Sequence, residues 1–297
     1  MTTTTYHEGS RAVQDRVGVR ELADHVGRSI GPGIKPVAAA FLERQPFLVL
    51  GAADPTTGEV WSSVLADTPG FVRATGPDQI AVRTALAPTD PLRAALATPG
   101  TPVGTIALDP RTRRRMRLNG RARPTPEGFA VRAEKVFSNC PKYLQKRDTY
   151  EEDPTRTPGR PEVSTRLSPR QRAFIAASDT FFLATVHETG ADASHRGGNP
   201  GFVRAASPRE LTWPDYPGNS MFLTLGNLAA DPRAGILFLD WTTGTTLQLT
   251  GEAETYFTAN GDRTIRFTLT KAIETPSAVP LRWSAPQFSP ANPESGR

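Results

Sequence analysis

The chain has 297 residues, of which 37% are hydrophobic and 22% are charged, and its formal net charge is +5. This length is sufficient for two domains with separate cores, and the composition is that of an ordinary globular protein. A single cysteine, Cys140, excludes an internal disulfide, and no histidine and cysteine residues have the spacing of a zinc site, so no metal is predicted. Because no run approaches about 18 apolar residues and the threonine-rich start lacks an apolar core, neither a membrane partner nor export is predicted, and we expect a cytoplasmic protein.

The first predicted elements are helical. From Ser10 to Ile30 the apolar residues recur mainly at helical spacings and stop at residues 31–33, Gly-Pro-Gly, which predicts one helix or a broken pair. A second short helix is predicted over residues 36–44. The 28 prolines and 25 glycines of the chain imply many turns, which favours strands over helices in the remainder.

Strand patterns dominate the rest of the first half. They are continuous apolar runs or alternations of apolar and polar residues, separated by turns that contain glycine or proline. One helix is predicted among them, at about residues 91–97. The predicted strands cover residues 47–52, 59–65, 71–75, 79–83, 103–108, 115–121 and 129–136.

A basic cluster at residues 111–117 raises the question of a nucleic-acid partner. Within it, Arg115 and Arg117 alternate with Met116 and Leu118, as on a strand that has one apolar face. No aromatic residue lies between the arginines to stack on bases. We therefore interpret the cluster as a hairpin turn followed by a solvated strand face, and nucleic acid is not a predicted partner.

One hexapeptide, Pro-Gly-Phe-Val-Arg-Ala, occurs at residues 69–74 and again 131 positions later at residues 200–205. The same separation relates further residues, such as Asp109 and Asp240, so the two halves are predicted to be copies of one mainly β unit. The polar, proline-rich segment between them lacks periodicity and is predicted to be a linker. The predicted organisation is a helical extension at 1–34, a first unit at 35–146, a linker at 147–167, a second unit at 168–284 and a tail at 285–297.

The second copy begins with the sequence of a capped helix. Ser168 is a typical cap residue, Pro169 suits the first helical position, and Gln171 completes a capping box. This pattern predicts a helix that extends to about residue 178.

The two copies differ just before the hexapeptide, where the first has Ser-Val-Leu-Ala-Asp-Thr and the second has Ser-His-Arg-Gly-Gly-Asn. The hydroxyl, imidazole and guanidinium of residues 194–196, followed by two glycines, suit an anion such as phosphate. Asn219 and Ser220 are typical cap residues for a predicted helix over residues 221–230, whose free N–H groups attract negative charge. A site is therefore predicted on the second copy, and the first copy is expected to be degenerate. His195 is a candidate acid or base that titrates near neutrality, although we favour a role in orienting a ligand.

Several motifs, in the same order along the chain, resemble the pyridoxamine 5′-phosphate oxidase-like FMN-binding split-barrel proteins, and in particular their branch with two tandem barrels. The resemblance extends over nearly the whole chain. It rests on residues 194–203, 216–219, 225–228, 231–233 and 237–240 in the second half, and on residues 6–9, 61–65, 139–143 and 280–283 elsewhere.

The resemblance implies a mainly β fold with a few helices, built as two tandem split β-barrels of six strands each that are related by internal duplication. FMN would lie in the groove where the two barrels meet. The implied function is that of an FMN-dependent oxidoreductase with an unidentified small-molecule substrate, and no catalytic residue is identified. Ten residues are implied in cofactor binding: Ser194, His195, Arg196, Gly197, Asn219 and Ser220 from the second unit, and Asn139, Cys140, Lys142 and Tyr143 from the end of the first unit.

Alternatives remain open for the cofactor and for the function. A deazaflavin or haem would fit the same groove in place of FMN. Relatives often have an arginine where Ser220 stands and a polar residue where Leu223 stands, and this difference favours a non-catalytic flavin-binding or sensing protein, or a cofactor-less interaction protein. We also expect a homodimer, because open barrel edges are often covered by another subunit.

Overall fold

The structure, a computed structural model, describes residues 5–188 and 190–293. Six helices lie in these ranges, and none of the six is long and apolar enough to cross a membrane. The predicted N-terminal helix is a broken pair, because Gly18 ends the first helix in the left-handed conformation with φ 71°. The helices are α1 Glu8–Val17, α2 Arg20–Gly27, α3 Pro36–Leu42, α4 Arg93–Ala97, α5 Pro169–Ala177 and α6 Leu223–Ala230.

Seventeen strands complete the secondary structure of the described ranges. The strands that precede the second unit are β1 Phe47–Ala53, β2 Val60–Ala66, β3 Val72–Gly76, β4 Gln79–Val82, β5 Thr101–Asp109, β6 Arg114–Thr125, β7 Gly128–Ser138, β8 Tyr150–Glu152 and β9 Glu162–Ser164. The later strands are β10 Thr180–His187, β11 Gly190–Gly197, β12 Arg204–Ser207, β13 Glu210–Pro214, β14 Arg233–Leu239, β15 Thr246–Phe257, β16 Arg263–Thr275 and β17 Leu281–Trp283.

Two large sheets have the same strand order. The orders are β2-β1-β5-β6-β7-β4-β3 and β11-β10-β14-β15-β16-β13-β12. Each path in the described chain has seven strands instead of the six that the resemblance implied, because the short edge strands β3 and β12 also pair with their neighbours. Neither sheet closes on itself within the described residues. The expected mainly β fold with two tandem split-barrel units is therefore confirmed.

Helix α5 begins as the sequence predicts. The Ser168 hydroxyl accepts a hydrogen bond from the Gln171 backbone nitrogen at 3.2 Å, and the Gln171 side chain accepts one from the Ser168 backbone nitrogen at 2.9 Å. These bonds satisfy N–H groups that a helix start leaves without intrahelical partners. The predicted capping box is thus confirmed.

The segment predicted to be a linker, residues 147–167, is held against the second unit. Its strand β8 pairs with β17, and its strand β9 pairs with β16. Arg147 and Asp179 add a buried ion pair in which Nη2 and Oδ2 are 2.7 Å apart. The chain between the units is therefore part of the folded structure, while the exact domain boundaries stay predictions.

The two units share a hydrophobic core in addition to the core that each unit has of its own. Strands β5 and β6 lie against β11, and strands β14 and β15 lie against β2 in the equivalent arrangement. Two glycines at the same position of the two copies permit this approach: a Cβ on Gly104 would lie 2.4 Å from the Ala193 nitrogen, and one on Gly235 would lie 2.5 Å from the Trp61 Cα. The two units therefore pack against each other through two equivalent sets of strands.

The basic cluster corrects one interpretation of the sequence. Arg117 is only 6% exposed, and its guanidinium pairs with the buried carboxylate of Asp192 from the second unit. Asn119 donates a hydrogen bond of 2.8 Å to the same carboxylate. The expected solvated face of β6 is thus wrong for these residues, because that face packs against β11 of the other copy.

Candidate functional site

A groove lies where the two units meet. The first unit supplies β6 and the segment after β7, and the second unit supplies β11 and the segment before α6. Arg115 and Arg117, which were predicted to face solvent, also line the groove. All ten residues predicted to bind a cofactor line it: Asn139, Cys140, Lys142, Tyr143, Ser194, His195, Arg196, Gly197, Asn219 and Ser220. The structure therefore brings the predicted set together, while the binding roles of these residues stay predictions.

Arg115 reaches across the groove to the second unit. Its Nη1 lies 2.6 Å from Nδ1 of His195, and its Nη2 donates a 2.7 Å hydrogen bond to the Cys140 carbonyl. No carboxylate pairs with this guanidinium in the part of the chain that the structure describes. Burial, followed by repulsion from Arg117 and Arg196, lowers the pKa of Arg115 to about 10. An anion bound beside Arg115 would stabilise its buried positive charge by offsetting this repulsion.

His195 is held in one neutral form. A guanidinium has only donors, so Nδ1 of His195 accepts the bond from Arg115 and the ring proton resides on Nε2. Burial, and then the charges of Arg115 and Arg196, lower the pKa of His195 well below its usual value. Within the described residues this buried Nε2–H has no hydrogen-bond partner. His195 thus presents a donor to the groove, and its low pKa weighs against the expected acid or base that titrates near neutrality.

Arg196 shares one carboxylate with another arginine. Its Nη1 lies 3.3 Å from Oδ1 of Asp215, whose other oxygen accepts a 2.8 Å hydrogen bond from Arg263 Nε. Asp215 therefore neutralises only part of the charge of the two guanidinium groups. Four buried N–H donors around the groove have no partner among the described residues: Arg115 Nε, Arg117 Nε, Arg196 Nε and His195 Nε2.

This donor set suits a ligand that carries negative charge and hydrogen-bond acceptors. Buried polar groups in proteins nearly always have partners, and the strongest bonds to guanidinium groups come from phosphates and carboxylates. The Oδ1 atom of Asn139 is a buried acceptor in the same lining, and it also lacks a partner among the described residues. The groove is therefore polar and cationic, and one bound anion would satisfy several of its donors.

Asn219 and Ser220 line the groove without capping a helix, which corrects the prediction. Helix α6 begins at Leu223 instead of residue 221, and its cap residue Phe222 makes no side-chain cap bond. Ser220 and Phe222 have left-handed backbones, with φ values of 59° and 52°, and such residues cannot continue a right-handed helix. The Asn219 side chain accepts a 3.2 Å bond from the Met221 nitrogen inside this loop.

The end of the first unit closes one side of the groove. Tyr143 donates a 3.0 Å hydrogen bond from its hydroxyl to the Pro217 carbonyl, and its ring centroid lies 5.0 Å from that of Tyr216. Burial raises the pKa of Tyr143. A Cβ on Gly197 would lie 2.0 Å from the Tyr143 carbonyl oxygen, so only glycine allows the two units to meet here.

The duplication contains the information that would have predicted Arg115 and Arg117 in the groove. Each copy lays its β6-type strand against the β2-type strand of the other copy, as β6 does on β11 and β15 does on β2. Arg115 and Arg117 therefore face the polar stretch that includes His195 and Arg196. Pairing the two copies with each other would have identified these residues, whereas reading β6 within its own unit places them in solvent.

A family model described as pyridoxamine 5′-phosphate oxidase matches residues 167–269. The resemblance is confirmed: the second unit is similar to this family over the matched residues. The match includes the second-unit wall of the groove, from β11 to the segment before α6.

Solved structures of several bacterial proteins are similar to parts of the chain. A candidate pyridoxamine 5′-phosphate oxidase of Lactobacillus delbrueckii is 12% identical, covers 37% of this chain and 94% of its own, and has a TM-score of 0.31. HupZ of Group A Streptococcus is 13% identical over 35% of this chain and 90% of its own, with a TM-score of 0.29. An FAD-binding protein of Mesorhizobium loti is 10% identical over 39% of this chain and 97% of its own, with a TM-score of 0.30. None of the curated proteins compared with the chain matches it.

Proposed function

We propose that the groove binds FMN and that the protein is an oxidoreductase that acts on a small molecule. The observation that carries this proposal is the set of N–H donors from Arg115, Arg117, Arg196 and His195, which both units contribute and which have no partner among the described residues. FMN combines a phosphate dianion with a ring edge rich in acceptors, and both match a donor set of this kind. The match of the second unit to the pyridoxamine 5′-phosphate oxidase family model supports the same cofactor class.

The first unit supplies the charge that the loop before α6 lacks. Ser220 is uncharged where relatives often have an arginine, and Arg115 and Arg117 bring two guanidinium groups to the groove from the other wall. A hydrogen bond to a charged group contributes about 1.5 to 3 kcal/mol. In this proposal Arg115 and Arg196 bind the anionic part of FMN, and His195 orients it by donating from Nε2.

Bound FMN would supply the electron or hydride transfer, so that no side chain need act as a nucleophile. The chain's own contribution is binding, orientation and the exclusion of water. Tyr143 and Tyr216 form an aromatic wall of the groove, and the fixed Nε2–H of His195 places a neutral donor beside it. A small-molecule substrate would enter from the open side of the groove.

Absorption spectroscopy of protein purified without added cofactor, followed by titration with FMN, tests the proposal. We expect the two-band absorption of an oxidised flavin, or saturable binding of added FMN. Arg115→Met should weaken FMN binding roughly 10- to 100-fold, the equivalent of one charge-assisted hydrogen bond. Arg123→Met is the matched control, since Arg123 is exposed on the same strand and should leave binding unchanged.

Other results would favour one of the alternatives to an FMN-dependent oxidoreductase. A colourless protein that does not bind FMN would contradict the flavin assignment, and a single intense violet band would indicate haem. A protein that binds FMN tightly but whose flavin no reductant or small-molecule substrate reduces would be a flavin-binding protein without oxidoreductase activity.

A further inference from the structure

The internal duplication places a second groove on the molecule. It lies between β2 of the first unit and β15 of the second, just as the first groove lies between β11 and β6. Its cavity volume is about 230 Å³, compared with about 110 Å³ for the first groove. Neither the family match nor the flavin proposal assigns a ligand to it.

At the positions equivalent to the cationic residues of the first groove, the second groove has uncharged residues. Val64 and Leu65 stand 131 positions before His195 and Arg196, and Thr246 and Gln248 stand 131 positions after Arg115 and Arg117. No arginine, lysine or histidine occurs among the described residues that line this second cavity. An anion bound here would therefore have no counter-charge.

A carboxylate lines the second groove. Asp90 lines the cavity, and its Oδ1 accepts hydrogen bonds from the Ser63 hydroxyl at 2.7 Å and the Leu92 nitrogen at 2.8 Å. Gln248 donates to the Ser63 hydroxyl at 2.9 Å and so fixes this arrangement. Asp90 forms no ion pair with any residue that the structure describes, and burial raises its pKa. A bound cation would offset the cost of this burial.

We propose that the second groove is a binding site for a small organic cation, a primary amine on an apolar body, whose ammonium group pairs with Asp90. The ammonium group donates to the carboxylate, and the apolar body packs on Val64, Leu65 and Ala85. The two grooves then take ligands of opposite charge. This inference stands whatever the first groove binds.

A titration followed by NMR tests the site with three probes of one shape and different charge. The full-length, isotope-labelled protein receives phenethylamine, phenethyl alcohol or 3-phenylpropionate. We expect the amine to shift the backbone resonances of Asp90, Thr246 and Gln248 in a saturable way, and to bind on the order of tenfold tighter than the alcohol. The carboxylate should leave these resonances unchanged. An amine that binds no tighter than the alcohol, or that shifts resonances elsewhere only, would overturn the proposal.

An isosteric variant tests the role of the carboxylate. Asp90→Asn should remove the preference for the amine over the alcohol, while Asp67→Asn, the same change at a nearby exposed residue outside the cavity, should retain it. Amine binding that survives Asp90→Asn unchanged would contradict the proposed ion pair. If Asp90→Asn fails to fold, the selectivity of the wild-type protein among the three probes still decides the question.

Discussion

Arg115 and His195 form a hydrogen-bonded pair in which each side chain limits the chemistry of the other. The guanidinium of Arg115 donates a hydrogen bond to Nδ1 of the imidazole. The imidazole is thus an uncharged acceptor for this guanidinium, which has no carboxylate partner within the described residues. The other ring nitrogen of His195, Nε2, carries the proton and has no partner in the described part of the chain. The pair converts a residue that commonly titrates near neutrality into a fixed donor.

This pair predicts the tautomer and the charge of His195. In NMR spectra of the ¹³C,¹⁵N-labelled imidazole, we expect His195 to be neutral at pH 6 and to carry its proton on Nε2. Because the pKa is lower in the folded protein than in the unfolded chain, this histidine destabilises the fold as the pH falls below about 6.5 and has no such effect above it. The other charged or titratable groups among the described residues that line the groove are Arg115, Arg117, Cys140, Lys142, Tyr143, Arg196, Asp215 and Tyr216.

Replacing Arg115 separates the effect of its guanidinium on the pKa of His195 from the effect of burial. In Arg115→Met, Nδ1 of His195 loses its donor and a nearby positive charge, so the pKa of His195 should rise and its second tautomer should appear. Arg123→Met, on the exposed part of the same strand, should leave the spectrum unchanged. A wild-type His195 that is already charged at pH 6 would contradict the assignment.

At the scale of elements, strand β6 contacts both units. Met116 and Leu118 pack into the core of the first unit, whereas Arg117 and Asn119 bond to Asp192 on β11. The alternation of a strand thus divides its residues between its own unit and the neighbouring unit. The buried carboxylate of Asp192 also accepts a 3.2 Å hydrogen bond from Thr224 of α6.

Asp192→Asn should destabilise the protein strongly. The variant leaves the buried guanidinium of Arg117 without a counter-charge, and breaking a buried pair in this way costs about 3 to 5 kcal/mol. Asp78→Asn is the control, because its partner Arg132 is highly exposed and such surface pairs contribute about 0 to 1 kcal/mol. Urea unfolding curves of the two variants measure the difference, and equal losses would contradict the buried role of Asp192.

The close approach of the units predicts a second stability difference. Gly104→Ala or Gly235→Ala would place a methyl group against backbone of the other unit, and overpacking of this kind costs about 1 to 3 kcal/mol. Gly76→Ala should change stability little, since no atom lies within 4 Å of the added Cβ. The midpoints of chemical unfolding compare the three variants. Full stability of Gly104→Ala would mean that β5 and β11 are farther apart than described.

At the scale of the molecule, the duplication produces two grooves of opposite character. The first has arginines and a neutral histidine, and the second has Asp90 with apolar and uncharged neighbours. If the first groove binds FMN, the flavin should bind once per chain. Calorimetric titration gives this stoichiometry directly, and two equivalent FMN sites per chain would contradict the division of the grooves by charge.

Much of the fold can be predicted from the sequence, because local residue patterns and the internal repeat indicate it. The repeated hexapeptide predicts two copies, and Ser168 with Gln171 predicts the start of α5. What the sequence does not predict depends on distant contacts or rare backbone conformations. Arg117 is buried by the other copy, and α6 starts late because Ser220 and Phe222, which are not glycines, adopt left-handed conformations.

The covalent connection of the two units has a genetic consequence. In a homodimer, a single codon specifies the same side chain in both of the symmetry-related grooves, so neither groove changes alone. Here Leu65 and Arg196 occupy equivalent positions but are encoded separately, as are Gln248 and Arg117. Each groove of this chain is therefore free to acquire a ligand specificity of its own while the other groove stays unchanged.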